Sequence, residues 1–148
     1  MTRATIDDLV RRYGEGEICT AASPGSETPA SVADLTAAQR ARIEGALGDA
    51  DALIDGYVRR RYALPITPEP PELIRAACVL ARSDLATGTD LVGSEAMRLA
   101  RKEVTDWLGR LADGAVSLAV PDAAGAAGAS GARVSDRPRE IETTGLRG

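Results

Sequence analysis

The stretch Arg59-Arg60-Arg61-Tyr62-Ala63-Leu64-Pro65-Ile66-Thr67-Pro68-Glu69-Pro70-Pro71 decides the fold. Four prolines stand in the ten residues from Tyr62 to Pro71. Each proline lacks an N–H and fixes φ, and each pushes the residue before it toward extended backbone, so no helix runs through. A stiff strap is expected here, with a separate helix on either side.

Upstream, Thr36-Ala37-Ala38-Gln39 reads as a capping box that opens a helix continuing to about Arg60. Its Ile43, Leu47, Ala50, Ile54 and Tyr57 recur at steps of three and four, which places them on one core face. Arg59-Arg60-Arg61 closes it at the negative end of the helix dipole. Downstream, Pro71 begins a helix to about Ala86. Two apolar lines, Leu73-Ala77-Leu80 with Asp84 and Ile74-Cys78-Ala81-Leu85, give it a broad face, so it is expected to be central. An earlier helix spans about Ile6 to Tyr13, with Thr5 as cap, Asp7 and Asp8 in the first turn, and Gly14 as stop. A last one spans about Ser94 to Asp113, with Met97, Ala100, Val104, Trp107, Leu108 and Leu111 on one side and Gly114 at its end. The Ser-, Thr-, Pro- and Gly-rich stretch from Cys19 to Leu35 reads as a long loop, and 115–120 as a short extended segment. The expected class is all-α: a compact four-helix domain, with the Pro-rich strap between its second and third helices, followed by an extended C-terminal arm.

That arm begins at Pro121. Of the 12 residues 121–132, six are Ala and three Gly, which makes a flexible spacer with no large apolar side chain. Residues 133–148 instead scatter Arg133, Arg137, Arg139 and Arg147 among acids, with Val134, Ile141 and Leu146 as isolated apolar anchors. This reads as a docking arm that orders on a partner. The expected organisation is therefore a helical domain over 1–120, a spacer over 121–132 and an arm over 133–148.

Composition narrows the chemistry. The chain has 148 residues, 44% of them hydrophobic and 27% charged, as in a globular protein. With one Trp, three Tyr and no Phe, the core must be built from Leu, Ile, Val and Ala. There is no His, which removes the commonest general base and the commonest transition-metal ligand. A net charge of −4 argues against a dedicated nucleic-acid binder. All of it falls on residues 1–120, which hold 14 basic and 18 acidic residues, whereas 121–148 hold four of each. Cys19 and Cys78 are 59 positions apart and read as two free thiols. No apolar run is long enough to span a membrane, and no apolar run follows Met1-Thr2-Arg3-Ala4-Thr5 that would make a secretory signal.

Candidate sites are few. Asp49, Asp51 and Asp55 lie along the second helix, with Asp51 and Asp55 one turn apart. Buried together, such carboxylates serve acid–base chemistry or hold a divalent ion. With no His or further acid beside them they read instead as a solvated or subunit-facing polar edge. Arg59, Arg60 and Arg61 read as a dipole-stabilised helix end or as ion-pair partners for another chain, ahead of a phosphate contact. Ser94 and Ser117 have no base beside them in sequence, no glycine-rich phosphate loop occurs, and Trp107 reads as core. No catalytic residue, cofactor or metal ligand is assigned. The residues expected to meet a partner or a second copy are Asp55, Arg59, Arg60, Arg61, Arg133, Arg137, Arg139, Ile141 and Leu146.

Two stretches carry a family resemblance. Ala50-Asp51-Ala52-Leu53-Ile54-Asp55-Gly56-Tyr57-Val58-Arg59-Arg60-Arg61-Tyr62-Ala63-Leu64-Pro65-Ile66 resembles the alanine-rich helix and Tyr…Arg-Tyr-x-Leu-Pro strap of the Mu-like phage head–tail connector family. Ala4-Thr5-Ile6-Asp7-Asp8-Leu9-Val10-Arg11-Arg12-Tyr13-Gly14 is similar to that family's opening. Pro70-Pro71-Glu72-Leu73-Ile74-Arg75-Ala76-Ala77-Cys78-Val79-Leu80-Ala81-Arg82 resembles its next helix, and Trp107-Leu108, Asp113-Gly114 and Ser117-Leu118 its end, so the likeness covers about 1–120. It implies a non-enzymatic adaptor in the neck of a tailed phage or phage-like particle. Such an adaptor forms a homo-oligomeric ring, usually twelvefold, beneath the portal protein and carries a stopper or tail-completion protein, with DNA only passing through the bore. The alternatives are a cytoplasmic regulatory or assembly-chaperone protein that binds a partner through its tail, and an acid-dependent enzyme using Asp51 and Asp55.

Overall fold

A computed structural model describes residues 2–87 and 93–120, and all its regular structure is helical. Helix α1 spans Ile6–Tyr13, α2 Glu15–Ala22, α3 Ala37–Val58, α4 Pro71–Ala86 and α5 Glu95–Ala112, with a 3-10 turn at Val32–Asp34. The four expected helices are all present. The fifth, α2, occupies part of what the sequence presents as loop. The spacer 121–132 and the arm 133–148, with Arg133, Arg137, Arg139, Ile141 and Leu146, lie outside the described residues.

Local chemistry starts each helix. At α1 the Thr5 hydroxyl accepts from the Asp8 N–H, while the Asp8 carboxylate accepts from the Thr5 N–H at 2.9 Å. Thr36 and Gln39 make the same reciprocal pair at α3. Pro71 occupies the first turn of α4, where its missing N–H costs nothing, and the Ser94 side chain caps α5. Between α1 and α2 the chain turns on Gly14 alone, whose φ of 91° a side chain would oppose.

Helix α4 packs against each of the other four, most extensively against α3. It buries Leu73, Ala76, Ala77, Cys78, Leu80, Ala81, Leu85 and Ala86, and α3 contributes Ile43, Ala46, Leu47, Ala50, Ile54 and Val58. Helix α5 buries only Leu108, Leu111 and Ala112, near its C-terminal end, and leaves Leu99 exposed. Trp107 is only partly buried, so it belongs to the edge of the core.

The segment that reads as loop is laced down by side chains. Helix α2 buries Ile18, Cys19, Ala21 and Ala22, small groups that gain their stability by packing on α3 and α4. Beyond it, buried Gln39 donates to the Ser23 hydroxyl at 2.8 Å, and the Glu15 carboxylate accepts from the Val32 N–H at 2.7 Å. Arg42 donates to the carbonyls of Ala21 and Leu85, which joins α2 and α4 to α3.

After α5 the chain is pinned to the strap, with no strand formed over 115–120. The buried Tyr62 hydroxyl accepts from the Leu118 N–H at 2.9 Å, and Leu118 is itself buried. Arg61 donates to the Val116 carbonyl at 3.3 Å while its guanidinium lies over Gly114. Gly114 has a φ of 83°, and a Cβ there would come within 3.1 Å of Arg61. We therefore predict that Gly114→Ala costs about 1–2 kcal/mol through its positive φ and the displaced guanidinium. Urea unfolding of Gly114→Ala against Arg61→Ala/Gly114→Ala separates the two contributions; no loss in the single variant would contradict this turn geometry.

Candidate functional site

The strap end of the molecule collects the described residues expected at an interface, Asp55, Arg59, Arg60 and Arg61, together with Asp51. Arg3, just before α1, reaches between α3 and the strap and meets three acids there. Its backbone N–H donates to Asp51 at 2.8 Å, its guanidinium hydrogen-bonds Asp55, and its Nε lies 2.5 Å from Glu69 of the strap. The side chains are 9% exposed for Arg3, 14% for Asp51, 27% for Glu69 and 32% for Asp55. The cation is thus buried and the outer acids reach water. Burial works against the Arg3 charge, but the Asp55 hydrogen bond and the neighbouring carboxylates outweigh it and hold its pKa above the usual value. Burial pushes the Asp51 carboxyl up, with Arg3 pulling the other way.

This corrects the reading of Asp51 and Asp55 as a merely solvated edge. Both are spoken for within the chain, by an arginine 48 and 52 residues away. One turn further on, Arg59 is exposed and folds back to the Asp55 carbonyl at 2.9 Å. Arg60, also exposed, lies 3.6 Å from Asp113 at the end of α5. Arg61 is partly buried and turned toward Val116 and Gly114. Of the expected interface residues that the structure describes, Arg59 and Arg60 are exposed, whereas Asp55 and Arg61 are partly buried and bonded within the domain.

A second feature, with no sequence signal, is a groove between α4 and α5. It is lined by Glu72, Arg75, Ala76, Glu103, Val104 and Trp107 and holds about 250 Å³. Elsewhere the reactive groups are occupied. Cys19 and Cys78 are buried free thiols, and burial pushes the pKa of each up, away from a nucleophilic thiolate. The Arg82 guanidinium stacks on the Tyr13 ring at 4.2 Å and pairs with Glu17, which ties α1, α2 and α4 together. Arg101 joins α5 to Asp84 of α4 at 2.6 Å. Among the described residues no group of three or more Cys, Asp or Glu is placed to hold a metal, and no helix is long and apolar enough to cross a membrane.

Comparison with known proteins gives three findings. A family model described as bacteriophage Mu, Gp36 matches residues 4–136, beyond the helical domain and into the first residues of the arm. A protein named gene product J, from Escherichia phage Mu, is 32% identical over 114 residues, which is 77% of this chain and 74% of that protein. The Mu-like prophage FluMu protein gp36 of Haemophilus influenzae is 35% identical over 85 residues, 55% of this chain and 56% of the relative.

The Arg3 cluster generates a prediction with a defined pH dependence. Arg3→Met leaves Asp51, Asp55 and Glu69 facing one another without their cation, and we expect a loss of about 2–3 kcal/mol at pH 7, reduced by the outer acids' access to water. Asp51 already titrates above its ordinary value in the folded chain, so its ionisation opposes folding as pH rises through that window. Removing Arg3 widens the window. The deficit should therefore be full at neutral pH and shrink as pH falls toward ordinary carboxylate values near 4. Denaturant unfolding at pH 7 and pH 4 checks this; an equal deficit at both would show that lost packing, not charge, dominates.

Proposed function

The chain belongs to the bacteriophage Mu Gp36 family, and on that premise we propose that it is a structural virion protein, the head–tail adaptor of a tailed phage or phage-like particle. The observation that carries the reading is the family match over 4–136, which takes in the whole helical domain and the start of the arm. In this reading the protein is not an enzyme. The domain builds a homo-oligomeric ring, twelvefold as the portal beneath which it sits, and the far side of the ring receives a stopper or tail-completion protein.

The geometry suits that task. Close packing of α3 and α4 gives a stiff body, and Arg59 and Arg60 stand exposed at one end of α3 for ion pairs with a neighbouring copy. A domain carrying 14 basic and 18 acidic residues lines a bore with net negative charge, which repels DNA and lets it pass without sticking. The spacer of 12 residues spans roughly 20 Å as a coil and lets residues 133–148 engage an adjacent component, adding avidity around the ring without a strong individual contact.

Two experiments test the proposal. Electron microscopy of lysates from a particle producer lacking this gene should show heads beside unattached tails. Intact, infectious particles would overturn the adaptor reading in favour of a regulatory or assembly-chaperone role. Deleting 121–148 should leave helicity and thermal unfolding nearly unchanged by circular dichroism while abolishing particle completion. A large loss of helix on that deletion would place the arm in the core.

A further inference from the structure

Arg3 answers only part of the charge around it. Asp51, Asp55 and Glu69 bring three carboxylates to one guanidinium, a local excess of negative charge among the described residues. Nor are their hydrogen bonds complete. Arg3 Nε, Asp51 Oδ1 and Glu69 Oε1 are buried without a hydrogen-bond partner, the Arg3–Glu69 contact being an ion pair alone. A buried polar atom without a partner is costly, and two of these three are acceptors. The group that suits them is a positively charged donor.

The same residues line a recess of about 660 Å³ whose other wall is apolar, formed by Leu64, Pro65 and Ile66 of the strap. Arg3 is buried within it, whereas Asp55 and Glu69 reach water. Excess negative charge beside an apolar wall fits the long side chain of an arginine, whose stem packs on the strap while its head meets the carboxylates. The acids do not converge as metal ligands do: among the described residues no group of three or more Cys, Asp or Glu is placed to hold an ion.

The opposite flank of the strap end presents such an arginine. Arg60 follows Asp51 by nine residues, about two and a half helical turns, so it lies across the α3 axis from the recess, on the α5 side. Its one printed partner there is Asp113 at 3.6 Å, in a pair whose side chains are 60% and 68% exposed. Such a pair is screened by water and holds weakly. Arg59, by contrast, is folded back on the Asp55 carbonyl. An acidic recess on one flank and a loosely held arginine on the other make a contact that repeats head to tail, the arrangement that closes rings.

We propose that Arg60 of one copy enters the Arg3 recess of the next, with its guanidinium at Asp55 and Glu69 and its stem on Leu64 and Pro65. The contact supplies an interface for the ring proposed above and rests on that reading for its closure, but the pairing of two copies needs no particle.

The test is sedimentation velocity of the full-length protein over a range of concentration and salt. Wild type should self-associate, and less so as salt rises, because the contact is between charges. Arg60→Glu should weaken association about tenfold or more, with an unchanged circular dichroism spectrum because Arg60 is exposed. Arg11→Glu makes the same change of charge at another exposed arginine and should have little effect. An equimolar mixture of Arg60→Glu and Glu69→Lys should associate more strongly than either variant alone, an outcome that misfolding does not produce. A wild type that stays monomeric throughout, an Arg60→Glu variant that associates as wild type does, or an equal loss in Arg11→Glu would each overturn the inference. Unattached heads and tails in lysates lacking the gene would still support the adaptor, so the two readings fail separately.

Discussion

Helices α3 and α4 make the most extensive helix–helix contact, and both bury alanines (Ala46 and Ala50, Ala76, Ala77 and Ala81) among leucines and isoleucines. A core with no Phe has few bulky side chains to fill space between helices, so native packing density is reached by bringing backbones close. That close approach fixes the remaining elements. Helices α1 and α2 sit on α4 through the Tyr13–Arg82–Glu17 tie, and α5 through Leu108, Leu111 and the Arg101–Asp84 pair. Enlarging one of the central alanines would therefore disturb several interfaces together, since α4 touches every other helix.

What the sequence made legible were features with a local cause. Thr5 and Asp8, Thr36 and Gln39, and Pro71 each act within one turn, and these are the points where the helix starts follow from the residues alone. The stripe Ile43-Leu47-Ala50-Ile54 and the broad face of α4 follow from a 3.6-residue period. Helix α2 was hidden because Gly16, Thr20 and two alanines give its eight residues almost no periodic signal; packing on α3 and α4 sustains it. The alternation in 115–120 indicates an extended segment but not what it pairs with. Its backbone finds Tyr62 and Arg61 as partners, not a neighbouring strand.

The candidate sites divide along the same line. Asp51 and Asp55 were visible as a pair one turn apart, but their partner Arg3 lies 48 and 52 residues away, and nothing in local spacing announces it. Once it is placed, a cluster that reads as solvated or even catalytic becomes a brace between the N-terminal segment, α3 and the strap. Trp107 was visible as an apolar position at helical spacing. That it is only partly buried is a matter of tertiary packing, which helical spacing does not report.

Both ends of the domain therefore converge on the proline strap. Glu69 of the strap holds Arg3 ahead of α1, and Tyr62 at its start holds Leu118 beyond α5. From Val120 the links run to Leu118 and Tyr62, on to a strap stiffened by its prolines, and through Glu69 to Arg3 and the N-terminal segment. Hydrogen bonds and ion pairs thus join both ends of the described domain to the strap. The Arg3 brace and the Tyr62 pin thus meet on one strap, although 115 residues separate Arg3 from Leu118.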